Sequence, residues 1–206
     1  MVLHTAGNVT YEVAESEALK LAAKALCHDV YLEFGYIEKR FPEGIIPEDR
    51  NDGESMYIVA RTGDCVCGTI RLRYGVSPFS VFRAWAQKLD QDSRDTLTRI
   101  STEPRAELGR LAVSANFRTG KVSQGLYKSA WLLALIKQIA WYLIRVDQRA
   151  LTSLERCGYY VQRIGPPLYW MGSPTVPAVM EIGKQLSSVY EKNPKYYQYL
   201  VNGVQS

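Results

Sequence analysis

Read from the N-terminus, the apolar residues of this chain change period several times. Thr10 to Ala14 (TYEVA) alternates polar and apolar positions, the mark of a short strand. From Ser16 the apolar positions Leu19, Ala22, Ala23, Leu26 and Val30 move to helical spacing, with Ser16 placed as the N-cap. Phe41 to Ser55 (FPEGIIPEDRNDGES) is rich in Pro, Gly and Asp and is expected to be loop. Two β-rich runs then flank Thr62-Gly63-Asp64 and predict a hairpin. On its second strand Val66, Ile70 and Leu72 share one face, while Thr69, Arg71 and Arg73 share the other. Two arginines on one face signify either solvent or an anion-binding wall.

Phe79, Phe82 and Trp85 recur at helical spacing and predict an amphipathic helix, whose aromatic stripe is read as core or as the wall of an apolar channel. Gln91 to Arg105 reads as a polar connection. Ala106 to Ile136 (AELGRLAVSANFRTGKVSQGLYKSAWLLALI) opens as an apolar strand and closes as an apolar helix, with a basic, glycine-containing loop between. Beyond it, AWYLIRVD is ambiguous between helix end and strand. RALTSLERCG predicts a short helix, YYVQRIG a strand, Gly165-Pro166-Pro167 a loop, and Val176 onward a final strand or helix. This alternation points to an α/β (α+β) class in one domain spanning residues 1–206.

Composition narrows the function classes. With 47% hydrophobic and 22% charged residues, the 206-residue chain is composed like a folded globular protein. The first thirty residues lack the pattern of a secretory leader, and the apolar run AWLLALIKQIAWYLI is interrupted at Lys137 and Gln138. A cytoplasmic protein without stable membrane insertion is therefore expected. A net charge of +4 falls short of a nucleic-acid binder's basic patch. Cys27, Cys65, Cys67 and Cys157 have no paired CxxC spacing and are expected to pack as small hydrophobes; with only His4 and His28, no metal centre is predicted.

The loop before the long helix carries the most chemistry. RTGK contains the Gly-Lys pair of a nucleotide P-loop, but Ala115 stands where the earlier glycine belongs and Val122 where Ser or Thr belongs. A loop ending at a helix start still offers unpaired N–H groups to an anion, here around Ser123, Gln124 and Gly125, with charge from Arg118 and Lys121. The alternative is an ordinary solvated loop with a helix cap.

ELGRLAV followed by NFRTGKVSQGLYKSA resembles the central strand, pyrophosphate loop and helix of the GNAT acyltransferase fold. More closely, the order of HDVYLEFGYIEK, PEDRND, YIVARTGDCVCGTIRLR, ELGRLAVSANFR, GPPLYWMGSPTVPAVMEI and NPKYYQYLV is similar to the long-chain N-acyl amino acid synthases, in particular the N-acyltyrosine synthase group. These are related to the acyl-homoserine-lactone synthases. The resemblance implies a central mixed twisted sheet with helices on both faces. It also implies transfer of a long-chain fatty acyl group from acyl carrier protein to the α-amine of an amino acid, with tyrosine expected.

The acyl-phosphopantetheine arm of the carrier is then the co-substrate, and no tightly bound cofactor is implied. Leu111, Ala112 and Val113 would meet the arm's amides. Arg118, Lys121, Ser123, Gln124 and Gly125 would hold its phosphate, with Lys128 adding to a basic surface for the acidic carrier. Glu107 is the candidate base for the amine, and a backbone N–H near Leu111 or Val113 the candidate oxyanion donor.

Glu107 and Arg110 stand three apart, so a regular strand would turn them to opposite faces unless a bulge at Gly109 intervenes. In the lactone synthases a glutamate and an arginine at this spacing belong to a charged cluster, matched here by Glu107, Arg110, Asp49, Asp52 and Arg71, for which structural ion pairing is the alternative. Arg71, Arg73 and Arg110 are candidates for the acceptor's carboxylate, and Phe79, Phe82, Trp85, Trp131 and Trp170 for an acyl tunnel. The general-acid tyrosine of many acetyltransferases of this fold is not matched, because Leu154 stands four residues before Gly158. Two other readings remain open: a lactone synthase using S-adenosylmethionine, and a non-catalytic module that binds acyl carrier protein.

Overall fold

The computed structural model describes residues 1–49 and 55–202. In chain order its elements begin with β1 (Val2–Ala6), β2 (Val9–Val13), α1 (Glu17–Glu33), β3 (Ser55–Thr62) and β4 (Cys65–Tyr74). There follow α2 (Pro78–Val81), α3 (Gln91–Ile100), β5 (Arg105–Val113), α4 (Lys121–Ile136), β6 (Trp141–Asp147) and α5 (Gln148–Cys157). The chain ends with β7 (Gln162–Arg163), β8 (Leu168–Trp170), β9 (Ser173–Glu181), α6 (Gln185–Lys192) and α7 (Pro194–Val201). The class is α/β with mixed sheet, as expected. Its contacts fall into two compact units, one of residues 1–73 and 108–133 and one of residues 74–107 and 134–206.

In the first unit β1, β2, β3 and β4 form an antiparallel run, and Ser114, just past β5, donates its N–H to Cys67 O on β4 at 2.9 Å. Tyr11, Ala60 and Gly68 are register partners across three strands and so share a face. That face receives α4. A Cβ on Gly68 would lie 2.7 Å from Val122 Cγ1, and a Cβ on Gly125 would lie 2.1 Å from the Tyr11 ring. The two glycines therefore set how closely the helix approaches. Tyr57 and Val59 point the other way and pack with Ala14 and Ala23 of α1, so this unit carries a helix on each face. The α1 start is as the sequence predicts, with Ser16 Oγ accepting from Leu19 N at 3.2 Å. Cys27 and Cys67 are buried, but Cys65 is exposed at the hairpin end, against the packing expected for it.

In the second unit the strands run β6-β9-β7, β8 also pairs with β9, on the edge opposite β6, and Gly75 donates its N–H to Arg105 O at the start of β5. Its core joins Phe82, Trp85, Leu97, Ile100, Trp141 and Val179. Two expectations are corrected here. Gln91 to Arg105 is not simply a connection, because Asp90 caps α3 by accepting from Ser93 N at 2.8 Å; only Leu97 and Ile100 on its inner face carry an apolar signal, too sparse to show periodicity. The aromatic stripe also does not form one helix. Pro78 starts α2, the chain tightens into a 3₁₀ turn at Arg83–Trp85, and Phe79 is left 44% exposed while Phe82 and Trp85 are closed inside.

The ambiguous run 140–147 resolves as strand β6, its residues paired one for one with β9. YYVQRIG contributes only Gln162 and Arg163 to a ladder, and β1, not predicted from the sequence, pairs with β2. Among the described residues no helix is long and apolar enough to cross a membrane.

His4 stacks on Tyr11 with ring centroids 4.4 Å apart, and its Nε2 lies 3.0 Å from Ser129 Oγ and 3.1 Å from Gly125 O on α4. Burial, and secondarily the charge of Lys128, lowers the His4 pKa below its ordinary value against the opposing pull of the Gly125 carbonyl. The folded state thus prefers the neutral ring, so its contribution is present above the unfolded pKa and is lost as pH falls below it. Two outcomes are expected from denaturant unfolding. Gly125→Ala loses about 1–3 kcal/mol through overpacking against Tyr11. Between about pH 7.5 and about pH 5.5 the wild type loses more stability than His4→Gln does.

Candidate functional site

Both buried carboxylates of interest are held by arginines. Asp49, at the end of a 3₁₀ turn (Pro47–Asp49), is fully buried in the first unit. Arg71 Nη1 donates to Asp49 Oδ1 at 2.7 Å, and Arg110 Nε donates to both carboxylate oxygens at 3.0 Å. The guanidinium of Arg110 also lies over the Tyr31 ring, 5.5 Å from its centroid. The same burial pushes the Cys27 thiol beside them up to about 12, so it stays a thiol rather than a thiolate. The Thr69–Arg71 face of β4 is therefore interior, and the reading of that face as solvent is overturned. Arg73, near the end of β4 opposite Ser55, is half-buried. Asp52 lies outside the described residues.

The backbone of β5 is irregular next to the glycine where a bulge is expected. Arg110 has φ 54°, inside β5, whereas Gly109 does not lie in the left-handed region and has open space where a Cβ would stand. A side-chain-bearing residue in that conformation costs on the order of 1–2 kcal/mol, which the charge-assisted, bifurcated hydrogen bond from Arg110 Nε to Asp49 offsets. The kink re-aims Arg110 toward the acidic turn.

Glu107, in the second unit's part of β5, is buried, and Arg145 Nη2 of β6 donates to its Oε1 at 2.7 Å. The Arg145 guanidinium sits over the Trp170 ring at 5.8 Å, and Trp170 lies 6.1 Å from Trp85, centroid to centroid. Arg145 was missed from sequence. The available signal was one cation at an otherwise apolar run, WYLIRVD.

At the end of β5 Leu111 and Val113 are half-buried and Ala112 buried. Arg118 Nε donates to Val113 O at 2.8 Å, and its two terminal nitrogens clamp Glu33 at 2.5 and 2.6 Å. This pairing holds Glu33 below the usual carboxylate range. Lys121 is exposed at the first position of α4; Ser123 Oγ and Gln124 N both donate to Gly120 O. Two expected members depart from their roles. Lys128 is 4% exposed and adds nothing to a basic surface; burial lowers its pKa. The face of Gly125 is occupied by Tyr11, so its missing side chain serves packing. Phe82, Trp85 and Trp131 are core, whereas Trp170 is partly exposed. Among the described residues no group of His, Cys, Asp or Glu is arranged to hold a metal ion.

Comparison with known proteins follows this geometry. Residues 22–181 match the family model described as N-acyl amino acid synthase FeeM. The structure of FeeM, an N-acyl amino acid synthase from uncultured soil microbes, superposes with TM-score 0.66 at 15% identity, covering 89% of this chain and 96% of that one. The acyl-homoserine-lactone synthase LasI gives TM-score 0.63 at 16% identity, over 89% and 94%. The CoA-dependent lactone synthase BjaI with MTA gives 0.64 at 19%, over 87% and 82%. No curated protein matches by sequence. The Asp49 cluster leads to one expectation: Asp49→Ala strands Arg71 and Arg110 in the interior and lowers unfolding free energy by about 3–5 kcal/mol in chemical denaturation.

Proposed function

Since the chain belongs to the FeeM family of N-acyl amino acid synthases and is an acyltransferase, we propose that it moves a long-chain fatty acyl group from acyl carrier protein to the α-amine of an amino acid, with tyrosine as acceptor. The observation that carries this reading is the family match over residues 22–181, a span containing Asp49, β5 with Glu107 and Arg110, the loop after it and α4. The likeness to lactone synthases, at under a fifth identity, speaks for fold alone.

The chemistry assigned to each residue is as follows. Glu107 accepts a proton from the acceptor's ammonium group, giving the neutral amine that attacks the thioester carbon. The new C–N bond forms, a tetrahedral oxyanion develops, and a backbone N–H near Leu111 or Val113 donates to it. The C–S bond then breaks, the new amide nitrogen gives up its second proton to the departing pantetheine thiolate, and Glu107 returns its own proton to water. Leu111, Ala112 and Val113 hydrogen-bond the arm's amides as an added strand would. Its phosphate is met by Lys121 and by N–H groups at the start of α4 near Ser123 and Gln124, and it competes with Glu33 for the fork of Arg118. No resident cofactor is required, and all 206 residues act as one acyltransferase domain.

Mass spectrometry of purified chain with long-chain acyl carrier protein and all proteinogenic amino acids is expected to show N-acyltyrosine. Glu107→Gln, which preserves shape and a hydrogen-bond acceptor for Arg145, lowers kcat/KM for the amino acid by about 100-fold or more with little change in carrier-protein affinity. Absence of any N-acylated amino acid overturns the reading.

A further inference from the structure

Arg71 and Arg110 spend donors on Asp49, which leaves open what recognises the acceptor's carboxylate. Arg145 has the properties required. One of its terminal nitrogens bonds Glu107, its side chain is 27% exposed, and among the described residues no other polar group engages the guanidinium. Trp170, itself partly exposed, packs over the guanidinium and steadies its plane. A guanidinium keeps donors on more than one edge, so it can bond Glu107 and a second carboxylate at once.

We propose that Arg145 is the acceptor-carboxylate receptor, and that the Glu107–Arg145 pair, rather than either residue alone, recognises the zwitterion of an α-amino acid. The inference rests on the reading that the chain acylates amino acids. An α-amino acid carries a cation and an anion on one carbon. A carboxylate and a guanidinium 2.7 Å apart present the complementary charges at matching separation. The ammonium lies against Glu107, the group that takes its proton, and the carboxylate lies against the free edge of Arg145. Binding through Arg145 thus delivers the amine to its base. An amine without a carboxylate finds the base but not the anchor.

The test compares L-tyrosine with tyramine, and L-leucine with 3-methylbutylamine, in wild type, Arg145→Lys and Arg145→Met. Each pair shares an amine and a side chain and differs in the carboxylate. The ratio of kcat/KM for amino acid over amine therefore cancels effects exerted through Glu107. Arg145→Lys keeps a cation opposite Glu107, so the comparison survives if Arg145→Met does not fold. The wild-type ratio is expected to fall on the order of tenfold to a hundredfold in Arg145→Met, and by less in Arg145→Lys, the range of a charge-assisted hydrogen bond.

A ratio unchanged in both variants, or near unity in wild type, overturns the assignment while leaving N-acylation intact. Calorimetric titration of the same four ligands separates the two failures. Wild-type chain that yields no N-acyl product, yet binds the amino acids more tightly than the amines in an Arg145-dependent way, refutes the proposed activity and retains the receptor.

Discussion

A carboxylate withdrawn from water has to be met by a cation and by hydrogen bonds, or folding removes its charge. Two such carboxylates organise the functional parts of this protein. Asp49 is met by Arg71 and Arg110 in one unit, Glu107 by Arg145 in the other. Strand β5 contributes to both, with Glu107 and Arg110 three residues apart. Arg110 reaches the acidic turn from a positive-φ backbone, a conformation that persists where the surrounding contacts over-determine it. Residues that read as a loop, a strand face and a strand interior are therefore one electrostatic assembly in the case of Asp49.

Close packing sets the second constraint. Helix α4 rests on a row formed by Tyr11, Ala60 and Gly68, and it is seated by the absence of side chains at Gly68 and Gly125. The same helix opens with Lys121 and the N–H groups assigned to phosphate. Glycine 125, which the sequence places within the anion loop, serves the sheet instead. Arg118 has similarly found an internal partner in Glu33, so its charge is engaged before any ligand arrives.

Family membership carries acyl transfer, and the charged residues fall into two kinds of cluster. Asp49, Arg71 and Arg110 pair in the interior of the first unit. Glu107 and Arg145 pair as well, but Arg145 keeps exposed edges beside a partly exposed Trp170. This difference in exposure separates a structural charge cluster from one suited to a zwitterion. Clusters of both kinds look alike as a list of charged residues.

The sequence by itself determined the local elements whose signals lie within a few residues: the Ser16 cap, the hairpin at Thr62–Asp64, the β5-to-α4 transition and the α/β class. It also carried the ordered motifs that lead to the synthase family. Tertiary structure decided what depends on partners distant along the chain. It buried the Arg71 face because Asp49 lies opposite, set Arg110 in a positive-φ conformation, closed Phe82 and Trp85 into a core, and withdrew Lys128 from the surface. It alone exposed Arg145 as the partner of Glu107, 38 residues away. Period and propensity report the environment a residue prefers. Which charge meets which is set by the path of the chain, because ion pairing acts through space over a few ångströms and leaves no period in the sequence.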